Sequence, residues 1–283
     1  MIGYLEILGA VLIWAFFNGV LVKKIKASGV GVGMWTGIVG VAFCLAGQDM
    51  WPVSYASLGG YQIFILICLG ISAGLNNSFN YTAIKISIPV ALLFHYLAPL
   101  LVIVWTFVFK AFAQPTSLMS LLALGIALAG MIYMSRPHLK EGNRRLVYLG
   151  MASAFFYSLE IVFSGYLSDQ LHVPVATSSF SKLLFQAMIM PIVGLGLKES
   201  IGLESRSEMA KITVGGLLLY LSFLLYFSGS ATVSPLDRGI LGYIDRIGAI
   251  ALGAYFFKEE RAKITKEVWV GGALIIGASL LIL

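Results

Sequence analysis

The chain has little charge for its length. Only 11% of its 283 residues are charged and 59% are hydrophobic, whereas soluble domains carry about 25% charged and about 45–50% apolar residues. A water-soluble fold of this size could not cover its surface with so few polar groups. The composition therefore excludes an ordinary soluble domain. It predicts an all-α integral membrane protein, because a helix satisfies its own backbone hydrogen bonds within lipid.

Cysteine, histidine and the motifs of known enzymes are also scarce. Cys44 and Cys68 both fall in apolar stretches, where a thiol is more often a small core residue than half of a disulfide. The 3 histidines are too scattered to predict a metal cluster, and no HExxH, GxSxG or paired-aspartate motif is present. We therefore expect no catalytic residues, no metal and no cofactor. An intramembrane enzyme stays an alternative, as does a channel or regulatory membrane protein, although no selectivity-filter loop is visible.

The first apolar stretch lacks a basic leader and a small-residue cleavage site, so we interpret it as a retained helix rather than a signal peptide. The net charge of +6 is spread over short polar segments and forms no basic domain. Membrane topology explains such charges better than nucleic acid does. We expect the lipid bilayer as a partner, and no nucleic acid.

Apolar blocks of about 18–24 residues follow one another along the chain, each long enough to cross a bilayer as a helix. With glycine, proline and charge as boundaries, they predict ten transmembrane helices. The predicted spans are 3–23, 30–47, 60–84, 88–110, 117–134, 146–167, 174–197, 211–231, 235–257 and 267–283. The longest polar link, SRPHLKEGNRR, lies in the middle and divides the chain into residues 1–138 and 139–283, with five spans each.

The two halves are similar in sequence. Tyr96 in the fourth span and Tyr243 in the ninth are 147 residues apart, and the same offset places Gly125 and Gly130 on Gly272 and Gly277. An odd number of spans per copy inserts the second copy upside down relative to the first. The pattern therefore predicts two inverted five-helix repeats, an architecture of secondary transporters with a midplane substrate site.

Four stretches also carry a family resemblance: Gly9–Trp14, Asn80–Pro99, Tyr243–Glu259 and Gly271–Gly277. They resemble ten-helix members of the EamA-like branch of the drug/metabolite transporter (DMT) superfamily, over nearly the whole chain. The resemblance implies a secondary-active transporter of a small metabolite that works by alternating access. The ninth helix departs from the family pattern, because Asp245 and Arg246 stand where relatives have Glu-Pro.

Basic residues outside the spans lie almost entirely in the segments after spans one, three, five, seven and nine. The loop from Gln48 to Gly59 has none. The positive-inside rule then places both termini outside the cytoplasm, although the resemblance implies cytoplasmic termini. We follow the charges and expect a bacterial cytoplasmic (inner) membrane.

Charges within spans are costly, so those that persist usually face a cavity or each other. Asp245 and Arg246 lie mid-helix, where they either bind substrate or pair with each other. Glu160, in the sixth span, is a substrate counter-ion, a group whose protonation is coupled to transport, or a static partner of Lys182 or Arg246. Asp237 and Arg238 start the ninth span, from where their side chains can reach the interface.

Uncharged polar and aromatic residues complete the predicted site. Amides on a membrane helix either join helices or line a cavity, and His95 either titrates or is a hydrogen-bonded core residue. The predicted substrate-binding residues are Trp14, Asn18, Asn77, Asn80, Tyr81, His95, Tyr96, Tyr157, Glu160, Tyr243, Asp245 and Arg246. The balance of acids and bases favours an amino-acid-like, zwitterionic or amphipathic cationic solute, with protons as a candidate coupling ion.

Overall fold

The structure, a computed structural model, describes residues 1–109, 117–135, 144–203 and 205–283. Over these residues the chain is helical and contains no strand. The helices are α1 (Ile2–Lys24), α2 (Gly29–Ala46), α3 (Gly60–Ile86), α4 (Ile88–Leu93), α5 (Ala98–Val108), α6 (Leu118–Ser135), α7 (Arg144–Gln170), α8 (Val175–Leu197), α9 (Ser207–Ser230), α10 (Pro235–Phe256) and α11 (Lys266–Leu280).

Seven helices of the described chain are long and apolar enough to cross a membrane: α1, α2, α3, α7, α8, α9 and α10. The all-α membrane class predicted from composition is thereby confirmed. Helix also occupies the other three predicted spans, as α6, as α11, and as the two pieces α4 and α5. The division into α4 and α5 follows from the local sequence of the fourth predicted span.

That span is broken near its middle. Helix α4 ends at Leu93, residues Phe94–Leu97 form a 3-10 turn, and α5 starts at Ala98. Pro99 explains the break, because a proline ring clashes with the carbonyl four residues earlier, here that of His95, and donates no hydrogen bond. The fourth predicted span is therefore helical over its described residues but is not one continuous α-helix.

Helix α1 contains a local irregularity of another kind. Residues Phe17–Leu21 form a π-helical segment near its C-terminal end, and Tyr166–Gln170 form one at the end of α7. π-Helical segments inside α-helices are often found at functional sites. In α1 the segment places Asn18 in the interior, and a side chain at Gly19 would clash with the backbone of Ala249 in α10. The two helices therefore approach closely at this level.

The helices pack in a layered bundle around one interior. Helix α1 packs against α9 and α10, α2 against α8 and α9, and α3 against α7 and α8. Helix α6 packs along α11, where Gly130 and Gly271 face each other so closely that a Cβ on either would clash with the opposite carbonyl. Small residues permit such backbone contact in membranes. The middle of the bundle is left to the polar residues of α1, α3, α7, α8 and α10.

Candidate functional site

A cavity of about 30 Å³ lies inside the bundle. This volume holds one or two water molecules. It is enclosed by side chains from α1, α3, α7, α8, α9 and α10 and by the 3-10 turn. The lining residues are Trp14, Phe17, Asn18, Asn76, Asn77, Asn80, Tyr81, His95, Tyr157, Glu160, Lys182, Leu219, Phe223, Asp245 and Arg246.

Of the predicted site residues whose side chains the structure describes, all but Tyr243 line this cavity. Tyr243 is buried elsewhere in the core. The side chain of Tyr96 lies outside the part of the structure that is described. The tertiary structure thus brings residues from distant parts of the sequence together around one small space.

Glu160 and Lys182 form the first of two buried ion pairs at the cavity. Lys182 Nζ lies 2.5 Å from Glu160 Oε1, and the Asn76 amide donates to the other carboxylate oxygen at 3.0 Å. Both oxygens of Glu160 are therefore occupied. The ammonium of Lys182 also lies 3.7 Å from the ring centroid of Phe223 and 5.4 Å from that of Trp14. Aromatic faces attract a cation, so the rings and the Glu160 carboxylate both stabilise the Lys182 ammonium.

Asp245 and Arg246 form the second pair. These neighbours on α10 are joined at 2.6 Å between Arg246 Nη1 and Asp245 Oδ2. The Asn18 amide of α1 donates to the same carboxylate at 3.2 and 3.4 Å. Arg246 also lies over the ring of Tyr157, 5.1 Å from its centroid. Static pairing, the alternative raised from the sequence, is thus present at both acidic residues.

A chain of hydrogen bonds connects His95 to the first pair. His95 Nε2 is bonded to the Ser153 hydroxyl, which donates to Asn76 Oδ1 at 2.8 Å. Since that hydroxyl donates to Asn76, it accepts from Nε2–H, which leaves His95 Nδ1 as an acceptor. Asn76 in turn donates to Glu160. Hydrogen bonds therefore connect the break between α4 and α5 to the Glu160 carboxylate on α7.

Several polar atoms around the cavity are buried without a hydrogen-bond partner in the described structure. They are Asn18 Oδ1, Asn80 Oδ1, His95 Nδ1 and the Tyr157 hydroxyl. Leaving a buried polar atom unpaired costs about 1–3 kcal/mol. Such atoms are positioned to bond a small polar molecule, which would recover that cost.

Comparison with known proteins bears on what this arrangement does. The family model of the EamA-like transporters matches residues 144–283, the second half of the chain. The chain belongs to the EamA-like transporter family. This family lies in the DMT superfamily, whose members are membrane transporters rather than enzymes.

The fold of this EamA-like protein also occurs among solved structures. One of them, described only as a crystal structure of a protein, has a TM-score of 0.72 over 99% of this chain and 96% of that chain. The sequence identity is 17%, so the likeness is one of fold alone. None of the curated proteins matches the chain.

Some cavity residues of this transporter-family member were missed from the sequence. Asn76 and Lys182 line the cavity but are not among the predicted site residues. The sequence offers Asn76 as one of several amides on its helix, and Lys182 as a partner for Glu160 and as a basic residue often present there in the similar family. Phe17, Leu219 and Phe223 gave no signal, because an apolar residue on a membrane helix is equally at home facing lipid. The four-residue spacing of Leu219 and Phe223 places both on one face of α9, but spacing alone cannot tell which face meets the cavity.

Arg238 and Asp237, which the sequence places at the start of the ninth span, are enclosed by protein. The Arg238 side chain is fully buried, and that of Asp237 is nearly so. Asp237 is bound by the hydroxyls of Tyr4 at 2.8 Å and Ser120 at 2.6 Å. The start of α10 is covered by α1 and α6, which explains why neither side chain extends to water.

Metal binding has no visible basis in the described part of the chain. Over those residues no group of three or more His, Cys, Asp or Glu side chains could hold a metal ion. The cavity instead presents paired charges, amides and aromatic rings, which are suited to binding an organic ion by hydrogen bonds and charge.

Proposed function

We propose that the protein is a secondary-active transporter that moves a small metabolite by alternating access. The observation that carries the proposal is the enclosed central cavity, where two ion pairs and four unpaired polar atoms meet between helices of both halves. Buried charges in membrane proteins usually mark a substrate or ion pathway. The family provides independent support for transport.

The charges of the cavity indicate an amino-acid-like, zwitterionic or amphipathic cationic solute. Two carboxylates and two bases line the space, so the site is balanced as a whole. The ammonium group of a solute can replace Lys182 or Arg246 as the partner of a cavity carboxylate. A carboxylate of the solute can then pair with the base that is released. Trp14, Tyr157 and Phe223 offer rings to the apolar part of the solute or to its cation.

The size of the cavity supports a moving site. About 30 Å³ is too little for an amino acid, so the described conformation corresponds to a closed, unloaded form. Substrate binding then requires helices to separate, which alternating access provides on one side at a time. The break at Phe94–Leu97 and the π segment at Phe17–Leu21 are the places where helices next to the cavity are least regular.

Helix contacts support the two inverted repeats, residues 1–138 and 139–283. Exchanging the first five spans with the last five converts the α1–α9 contact into α7–α3, and the α2–α9 contact into α8–α3. The contacts α2–α8 and α6–α11 convert into themselves. A pseudo-two-fold arrangement would produce this pairing, and it would place the substrate site at the interface of the halves.

We further propose that protonation of Glu160 is coupled to transport. We also propose that the protein resides in a bacterial inner membrane, with both termini outside the cytoplasm. The orientation rests on the basic residues, which cluster at one face: Lys23 in the last turn of α1, Lys26 after it, Lys198 after α8, and Lys258 after α10. Single-cysteine variants labelled in intact cells by an impermeant reagent provide the test. Labelling in the loop from Gln48 to Gly59 supports the orientation, and labelling after α8 instead contradicts it.

A ligand screen followed by transport measurement tests the function. The purified protein is heated with amino acids, polyamines, nucleosides and cationic dyes, since a ligand of the folded state raises the unfolding temperature. Each hit is then assayed for uptake into proteoliposomes, with and without a pH difference. Empty liposomes and Glu259→Gln, which changes an exposed carboxylate, are the controls. If stabilising ligands bind but none crosses the membrane, the transport proposal is wrong.

A further inference from the structure

Arg238 is a buried charged side chain near the start of α10, and some of its hydrogen-bond donors have no acceptor in the described part of the chain. It is completely buried. Its Nη1 donates to the hydroxyls of Ser164 and Ser230, each at 2.9 Å. Its Nε and Nη2 have no partner at hydrogen-bond geometry among the described residues, although the Tyr226 hydroxyl lies close enough to act on the guanidinium. Those two nitrogens form one edge of the guanidinium.

That free edge has a specific chemistry. Nε–H and Nη2–H point in parallel, and such a pair of donors binds a carboxylate or phosphate group through two hydrogen bonds. Arg238 forms no ion pair within 4 Å with a carboxylate of the described chain. Asp169 acts on its charge from further away. An uncompensated arginine inside a membrane protein costs several kcal/mol, which an anion would offset.

The surroundings of Arg238 fit this cation closely. A Cβ on Gly165 would lie 2.1 Å from Nη2, so only glycine leaves room for the guanidinium there. The ring of Tyr226 lies beside it, with 5.7 Å between Arg238 Cζ and the ring centroid. Lys182 Nζ lies 5.5 Å from the centroid of the same ring. The ring of Tyr226 thus lies close both to Arg238 and to the first ion pair of the central cavity.

Position along the helices places Arg238 on one side of that cavity. Ser164 is four residues, or about 6 Å, beyond Glu160 on α7, on the side of Glu160 away from Arg144 and Arg145, which begin the helix. Arg238 precedes Asp245 by seven residues, about 10 Å along α10, and α10 leads to the basic segment at its other end. Arg238 therefore lies between the central cavity and the face without basic loops.

We propose that Arg238, held in place by the hydroxyls of Ser164 and Ser230, is an anion site whose free edge holds the carboxylate of the transported solute between the cavity and the face opposite the basic loops. This inference rests on the proposed function and names the chemical group that the path receives. A carboxylate on the free edge of Arg238 neutralises the buried charge. The solute carboxylate then moves from Arg238 to the bases of the central cavity, which lie on the other side of the Tyr226 contact.

Anion binding by the purified full-length protein tests the proposal without relying on transport. The probe is sodium acetate, titrated against sodium chloride at constant ionic strength while the unfolding temperature is followed. We expect saturable stabilisation of the wild-type protein, and at least about a tenfold higher apparent Kd in Arg238→Gln, as for loss of a charged hydrogen-bond pair. Arg206→Gln, which removes an exposed arginine, is the matched control and should behave as wild type.

Two more variants cover the case in which Arg238→Gln does not fold. Arg238→Lys keeps the charge but loses the parallel donors, and it should bind acetate more weakly than wild type. Gly165→Ala adds a methyl group where Nη2 lies and should also weaken acetate binding. Equal acetate stabilisation of wild type, Arg238→Lys and Gly165→Ala would overturn the anion site, and so would its absence from all three. Acetate binding with no transport of any solute would contradict the proposed function alone.

Discussion

The two ion pairs of the central cavity differ in what they connect. Glu160 and Lys182 belong to different helices, and Asn76 adds a third through its amide. Asp245 and Arg246 are neighbours on α10, so their bond joins no two helices. Their links to other helices are the Asn18 amide and the ring of Tyr157. The first pair is part of the packing between α3, α7 and α8, whereas the second can rearrange while its helix stays intact.

This difference suggests a structural role for the first pair and a substrate-binding role for the second. Removing one partner of a buried pair strands the other charge, and the loss is greatest where the pair also joins helices. The Lys182 ammonium has aromatic rings around it as well as its carboxylate. The Asp245 carboxylate is held mainly by its neighbour and one amide. We therefore expect Glu160 and Lys182 to dominate stability and Asp245 and Arg246 to dominate substrate recognition.

The largest effect is expected for Lys182→Met. It leaves the Glu160 carboxylate buried with only the Asn76 amide, and breaking such a pair costs about 3–5 kcal/mol. The yield of folded protein in detergent and its unfolding temperature should both fall sharply. Adding Glu160→Gln removes the stranded charge and should restore most of the loss. Lys266→Met, at an exposed position, is the control. A stable single variant would show that the first pair does not hold the helices.

Glu160→Gln alone sharpens the comparison on the side of function. Glu160→Gln leaves the Lys182 ammonium with its aromatic rings alone, so only the folded fraction is assayed. If protonation of Glu160 is coupled to transport, that fraction should lose accumulation driven by a pH difference, while exchange of bound solute persists. Proteoliposomes loaded with the solute found by screening provide both measurements. Accumulation that survives in the Gln variant would remove Glu160 as the coupling group. His95, connected to it through Ser153 and Asn76, would then be the next candidate.

Asp245→Asn should lower transport at least about tenfold, the equivalent of one hydrogen bond to a charged group, and leave the protein folded. The reason is that its partner lies on the same helix, so packing does not depend on the pair. Uptake rate and unfolding temperature are measured together, with Glu259→Gln as the matched carboxylate control. If neutralising both Asp245 and Arg246 restores transport, the carboxylate serves only to balance its neighbour and the recognition role is refuted.

The smallest effect is expected for Tyr157→Phe, a substitution at a cavity residue that belongs to neither ion pair. Its hydroxyl has no partner in the described structure, and its ring lies under Arg246. Loss of one hydrogen bond to the solute should weaken apparent affinity about fivefold, or about 1 kcal/mol, with no loss of stability. Tyr148→Phe removes an exposed hydroxyl as the control. Unchanged affinity would mean that the solute does not reach Tyr157.

Sequence alone was sufficient for the class of protein. Apolar blocks predicted helices close to the bounds of α1, α2 and α3 because hydrophobic length and backbone satisfaction are local properties. The resemblance to EamA-like transporters is confirmed by the family match over residues 144–283. Intramembrane charge at Glu160, Asp245 and Arg246 also predicted interior positions, since such side chains are too costly to leave in lipid. Their roles in binding stay predictions.

Only the tertiary structure decided which of these residues meet, and how. Pairing of Glu160 with Lys182 rather than Arg246 depends on how α7 and α8 pack, and the aromatic surroundings of Lys182 come from α1 and α9. The burial of Arg238 depends on a glycine in another helix, Gly165. Helical periodicity places a residue on a face, but the neighbour of that face is set by contacts between segments far apart in sequence. In lipid, apolar faces do not distinguish those neighbours.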